Sequence, residues 1–176
     1  MKRTNIEIKA RCNDHEVVRK ILISGNAEFK GIDHQIDSYF KVNSGRLKLR
    51  EGNIENALIH YNREDKDEPK ESDVLLYKTS KNSLLKELLT KALDKLITID
   101  KEREIYFIGN VKFHLDKVKE LGKFIEIEAI GKGDEDKSAL LQQCKFYLNL
   151  FGISKDDLIP FSYSDMLIEK QITLSN

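Results

Sequence analysis

Asn5-Ile6-Glu7-Ile8-Lys9-Ala10-Arg11 is the stretch that decides the fold. Read with a period of two, it puts Ile6, Ile8 and Ala10 on one face and Asn5, Glu7, Lys9 and Arg11 on the other, the alternation of an extended strand. Phe124-Ile125-Glu126-Ile127-Glu128-Ala129 repeats the pattern, with Glu126 and Glu128 sharing a face and Ile125, Ile127 and Ala129 the opposite one. Two strands of this kind predict ionic faces that meet inside a barrel, where carboxylates hold divalent metal and bases hold phosphate.

Other strands follow outward from these two. Ala27–Lys30 and His34–Val42 read as strands, the second with Gln35, Asp37, Tyr39 and Lys41 in phase. After the turn Asn43-Ser44-Gly45 comes Arg46–Arg50, with Arg46, Lys48 and Arg50 on one face and Leu47 and Leu49 on the other. Ala57–Arg63 sets Ile59, Tyr61 and Arg63 in phase, and Val74–Thr79 follows a polar loop from Glu64 to Asp73. Ile97–Ile108 aligns Ile99, Lys101 and Arg103; Gly109-Asn110 turns it into Val111–Val118, where Lys112, His114 and Asp116 align. Four helices are predicted. The first is capped by Asn13, carries Val17, Val18, Ile21 and Leu22, and stops at Gly25. The second is a leucine stripe from Leu84 to Leu96, the third runs from Leu140 to Phe151, and the last lies near Ser164–Lys170. Gly131 to Gly133 is a break. No glycine-rich phosphate loop opens any helix, so eight or nine strands describe an antiparallel α+β protein rather than a βαβ one. Eight strands can close into a barrel that holds one small ligand.

Composition narrows the class. A chain of 176 residues predicts a single domain over 1–176. Its 30 bases and 30 acids cancel, which argues against bulk attraction to nucleic acid or anionic membrane and leaves room for a local basic pocket. Met1-Lys2-Arg3 is not followed by a long apolar run, because Glu7 and Lys9 interrupt it. Two distant cysteines, Cys12 and Cys144, fit a reducing compartment, so a cytoplasmic protein is expected. The four histidines lack metal-ligand spacing.

The charged rows have a plain alternative, a solvated sheet face. Three features favour an enclosed one. The helix stripes need an apolar sheet face, and the Ile and Leu rows supply it. Arg46, Lys48 and Arg50 share one sign, where a merely soluble face mixes signs. Finally, on the basic faces acids recur in only a few strands. Bases crowded on neighbouring strands repel until a polyphosphate neutralises them. Clustered carboxylates call for Mg2+ or Mn2+, which prefer oxygen ligands and commonly share them with substrate phosphates.

In order along the chain, these blocks resemble the CYTH superfamily, the triphosphate tunnel metalloenzymes. Asn5-Ile6-Glu7-Ile8-Lys9 stands where the family has Glu-x-Glu-x-Lys. Gln35–Phe40, Arg46–Arg50, Lys101-Glu102-Arg103, Leu115–Val118, Leu121-Gly122, Phe124–Glu128 and Ser162–Leu167 are similar to its later blocks. Leu58–Arg63 followed by Pro69–Ser72 resembles the class IV adenylyl cyclase branch. The resemblance implies an eight-stranded antiparallel β-barrel, a tunnel with a charged interior flanked by helices. It implies metal binding by Glu7, Glu126 and Glu128 with Asp116 beside them. Lys9, Lys48, Arg50, Arg63, Lys101 and Arg103 would grip the triphosphate, and Tyr39 would sit near it. Lys9, Arg50, Arg63, Lys101 and Arg103 are the expected catalytic set. Related cyclases imply a homodimer. Asn5 departs from the pattern, because an amide can ligate metal but brings no charge, which weakens any second metal site.

The implied activity is conversion of ATP to cyclic AMP and pyrophosphate. The same tunnel also suits a triphosphatase acting on thiamine triphosphate or inorganic triphosphate, or a non-catalytic nucleotide or polyphosphate binder. A barrel for an apolar ligand would instead turn Lys9 and Arg103 outward. His114 could touch substrate or be an ordinary hydrogen-bonded histidine. Lys78 and Arg11 have lumen parity only.

Overall fold

The computed structural model describes residues 2–63, 70–81, 83–131 and 137–175; the side chains of 2–4, 63 and 70–73 lie outside the described set. The strands are β1 (Lys2–Arg11), β2 (Glu28–Phe40), β3 (Arg46–Glu51), β4 (Ala57–Arg63), β5 (Lys70–Lys78), β6 (Lys95–Ile108), β7 (Val111–Val118) and β8 (Gly122–Ile130). They close in the order β1-β5-β4-β3-β2-β6-β7-β8, and β8 pairs back onto β1. Every neighbouring pair is antiparallel. The meander β2 to β5 and the meander β6 to β8 meet at the long β2–β6 ladder, and β1 fills the remaining gap.

The two strands expected over 27–42 are one. β2 continues through an irregularity between Phe29 and Gly31, where Gly31 takes φ +126° without the clash a β-carbon would bring. Of the loop expected over Glu64–Asp73, 64–69 lie outside the described residues, while 70–73 belong to β5, held there by pairing with β1 and β4; most of the break at 131–133 also lies outside the described residues. Gly109, at φ +57°, makes the β6–β7 turn.

Among the described residues four α-helices dress the barrel: α1 (His15–Ser24), α2 (Leu85–Ala92), α3 (Lys137–Leu150) and α4 (Tyr163–Ser175). Asp14, one residue beyond the expected cap, accepts from the backbone N–H groups of Glu16 and Val17. α1 buries Val18 and Leu22, and α3 buries Leu140 and Cys144, against Ile6, Ile8, Phe113, Leu115, Ile125 and Ile127 of β1, β7 and β8. Each such side chain contributes about 1.5–3 kcal/mol on leaving water. These Ile rows are therefore the outer face, as the alternation predicts.

α2 is shorter than its leucines suggest. Leu93 is already extended and Leu96 belongs to β6, because the β2–β6 ladder runs back to Lys95. Leu89 is buried over Phe40 and Leu49, while Leu84 and Leu88 are exposed. α4 caps one end of the barrel, where Tyr163 and Leu167 pack against Ile97, Ile99, Val118 and Phe124.

Candidate active site in the barrel lumen

The lumen holds a cavity of ≈ 710 Å³. Its surroundings differ by position. At the α4 end the barrel is apolar, filled by Ile99, Phe124 and the Tyr163 ring. Ile59 of β4 and Val74 and Leu76 of β5 add an apolar patch to the cavity wall, with Lys78 beside it. The other strands present charge. Lys9, Lys101, Arg103 and Glu126 line the cavity and lie on β1, β6 and β8.

Two buried carboxylates lie among these bases. Asp37 of β2 accepts from Arg50 Nε at 2.8 Å and Nη2 at 2.9 Å, from Lys101 Nζ at 2.8 Å and from Lys48 Nζ at 3.1 Å. Burial pushes the Asp37 carboxyl up, but Arg50, Lys101 and Lys48 together hold it well below the usual carboxylate range. Three bases on one acid leave surplus positive charge. Burial, aided by Arg103, Arg50 and Lys48 against the pull of Asp37, brings Lys101 down to about 7. Asp116 of β7 accepts Arg103 Nε at 2.6 Å and Nη2 at 2.5 Å, and the Tyr163 hydroxyl at 2.7 Å. That fork fixes the Arg103 plane, and the same Nη2 donates to Glu126 at 2.7 Å.

Glu126 also faces Lys9 Nζ at 3.2 Å and His114 Nδ1 at 3.2 Å. Burial, then Arg103 and Lys112, lower His114 to about 3, so its ring is neutral. A carboxylate only accepts, so Nδ1 carries the proton and Nε2 is a bare acceptor, buried and without a partner among the described residues. Glu7 stands directly opposite Glu128 in the β1–β8 ladder. Burial raises the Glu128 carboxyl; Glu7 and Glu126 add to the rise, and Lys112 and Asn5 oppose it. Asn5 Nδ2 donates to Glu128 at 2.5 Å, and its buried Oδ1 has no partner among the described residues.

The CYTH domain model matches residues 3–163. The chain belongs to the CYTH family. Among solved structures, the PH1012 protein of Pyrococcus horikoshii OT3 superposes with TM-score 0.80 at 25% identity, over 92% of this chain and 98% of that one. A Vibrio parahaemolyticus protein proposed as an adenylate cyclase gives 0.69 at 20%, over 93% and 97%. The Hippeastrum protein HpAC1, whose dominant activity is described as triphosphatase, gives 0.63 at 11%, over 96% and 95%. These last two are likenesses of fold. No curated protein sequence matches the chain.

The CYTH blocks converge as their parity predicts. Lys9, Lys48, Arg50, Lys101, Arg103, Tyr39, Glu7, Glu126 and Glu128 all line the cavity. Asp116 lies behind Arg103 and touches no cavity surface. The side chain of Arg63 lies outside the described residues, as do those of Lys70, Glu71 and Ser72. Lys78 lines the cavity and Arg11 is exposed. Lys9 and Arg103 face inward, which removes the apolar-ligand barrel.

The four expected metal ligands of this CYTH chain do not form one cluster: among the described residues no three acidic, histidine or cysteine side chains are drawn together for a metal. Glu126 and Asp116 are engaged by bases; Glu7 and Glu128 stand opposite each other in the β1–β8 ladder, near the Asn5 Oδ1 that has no partner among the described residues. This all-oxygen set with a raised carboxyl suits a hard divalent ion.

Four site residues escaped the sequence reading. Lys112 shares the parity of His114 and Asp116 and could have been included. Asp37 was in phase with the bases, but nothing marked it as their common acceptor. Tyr163 arrives from a helix and Glu55 from a turn, where strand alternation gives no signal.

Proposed function

We propose that this CYTH chain is a metal-dependent enzyme acting on an organic triphosphate, first of all an adenylyl cyclase forming cyclic AMP and pyrophosphate from ATP. The observation that carries this is the convergence of Lys9, Lys101 and Arg103 on one cavity that also holds Glu7, Glu126 and Glu128. The apolar patch of Ile59, Val74 and Leu76 supports a substrate with an organic part, since a bare polyphosphate has nothing to place there.

Lys9, Lys101 and Arg103 would hold the phosphate chain, and Arg103 is oriented for it by Asp116. In cyclisation the ribose 3′-oxygen attacks the α-phosphorus as the bond to the β-phosphate breaks. The bases offset the charge that gathers on departing pyrophosphate. Glu7, Glu126 and Glu128 would hold Mg2+ or Mn2+, which supplies Lewis-acid neutralisation of phosphate oxygens. We place the protein in the cytoplasm, because Cys12 and Cys144 are both free thiols.

The test is incubation of the pure chain with ATP, thiamine triphosphate or inorganic triphosphate, each with Mg2+ or Mn2+. Cyclic AMP with pyrophosphate is the expected product pair. Release of inorganic phosphate instead would make the protein a triphosphatase, and turnover of none would remove the enzyme reading.

A further inference from the structure

Tyr163 stands where three strands of the lumen wall converge. Its hydroxyl donates to Asp116 of β7 at 2.7 Å, which ties down the tip of the ring. Lys9 Nζ of β1 lies over the ring face, 3.9 Å from its centre, and Lys101 Nζ of β6 is 5.8 Å from the same centre. The side chain is buried yet lines the cavity. An ammonium over a tyrosine face is attracted by the ring quadrupole, more strongly where little water reaches it.

The segment that delivers this ring is fastened to Lys9 as well. Leu158 bridges to Ala10, and the Ile159 N–H donates to the Lys9 carbonyl at 2.9 Å. Lys9 Nζ in turn donates to the Phe161 carbonyl at 3.4 Å. Asp165 accepts the backbone N–H of Ser162 at 3.1 Å and its hydroxyl at 2.6 Å, while Arg46 Nη2 of β3 donates to the same oxygen at 2.9 Å. The start of α4 is therefore pinned to β1 and to β3, which fixes where the ring enters the lumen. Glu126 alone cannot fix Lys9, because it is shared with Arg103 and His114.

We propose that Tyr163 is the positioning residue of Lys9: its ring carries the ammonium of that lysine at the place where the phosphate chain of the substrate binds. The inference rests on the lumen being an anion site, as proposed above. A lysine stem turns freely, and holding it ready spares the anion the cost of ordering it. When Glu126 turns its charge to a metal ion, the ring and the Phe161 carbonyl still hold Lys9. A tyrosine that merely filled space against Phe124, its ring centre 5.0 Å away, would serve the fold equally with or without Lys9.

The probe is sodium tripolyphosphate, titrated calorimetrically into the whole protein with a chelator present, so that only the side chains contribute. Tyr163→Leu removes the ring and should weaken binding about fivefold or more, whereas Tyr163→Phe keeps the ring under Lys9 and should lose far less. A double-mutant cycle decides the cause. In a Lys9→Met background the ring has no ammonium to hold, so Tyr163→Leu should cost less than about twofold. Equal losses in both backgrounds, no loss in either, or a loss from Tyr163→Phe as large as from Tyr163→Leu would overturn the role of the ring and leave the anion-site reading standing. Failure of the wild type to bind tripolyphosphate would remove that reading and this proposal together. Should Tyr163→Leu not fold, phenylalanines of increasing ring fluorination at position 163 keep the shape and weaken the negative ring face step by step. Affinity should fall in the same order, and a flat series would overturn the proposal.

Discussion

Asp37 stands directly across the β2–β3 ladder from Arg50 and receives two arms of its guanidinium, at 2.8 and 2.9 Å. Lys101 and Lys48 share the same carboxylate. One acid therefore keeps three bases together in a barrel before any anion arrives. Asp37→Asn removes that charge and leaves buried, mutually repelling bases. Urea unfolding should show a loss of about 3–5 kcal/mol, the usual cost of breaking a buried pair. Added tripolyphosphate should restore part of it. A loss within experimental error would mean that the bases do not depend on Asp37.

Lys101 predicts a pH response. Its folded pKa falls to about 7 from 10.5. Between those values the unfolded chain binds the proton and the folded chain does not, so this group makes stability rise with pH across that window. Bound polyphosphate reverses the preference by favouring the ammonium form. Affinity for tripolyphosphate should therefore fall as pH is raised through 7, with proton uptake on binding below the pKa of the complex. Calorimetry in buffers of differing ionisation enthalpy measures the uptake. Lys101→Met should flatten the profile, and an unaltered profile in that variant would assign the response elsewhere.

Asn5→Glu adds a carboxylate beside Glu7 and Glu128. Mn2+ affinity, followed by electron paramagnetic resonance, should rise roughly tenfold, as one added attraction of about 1.4 kcal/mol implies. The metal-free variant should be less stable than wild type, because the new charge replaces an amide that donates to Glu128. Unchanged Mn2+ affinity would place the metal away from Asn5.

Tyr163→Phe removes the hydroxyl that donates to Asp116 at 2.7 Å. Hydrogen bonds to charged groups contribute about 1.5–3 kcal/mol, and a loss in that range is expected in denaturant titrations. Arg103 keeps its fork on Asp116, so anion binding should weaken less than stability does. A variant as stable as wild type would show that the hydroxyl finds equivalent solvation.

Period-two alternation made the barrel walls legible. Where a strand must bury one face outward under helices, its ionic face has only the lumen left. Ile6 and Ile8 under α1 and α3 thus fixed where Glu7 and Lys9 point. What alternation cannot carry is contact between distant segments. Glu55 and Tyr163 enter the lumen from a turn and a helix, positioned by Asp33 and by the α4 packing. Local charge patterns also hid the balance of the lumen. Arg46, Lys48 and Arg50 read as a ladder awaiting an anion, yet Arg50 and Lys48 share Asp37 and Arg46 pairs with Asp165 of α4. The leucines from 84 to 96 misled for a related reason: a helical stripe and the start of a strand compete for the same residues, and the β2–β6 ladder wins.

The position of β1 bears on how the chain is made. Ile6 pairs with Glu71 on one side and Ala129 on the other, so β1 is synthesised well before either of its partner strands. Until β8 is synthesised, β1 and its future neighbours carry open edges, which invite joining to other chains. Closure of the circle is a late, long-range event and should be the slow step of maturation. A nascent chain halted before β8 would be a candidate client for chaperones.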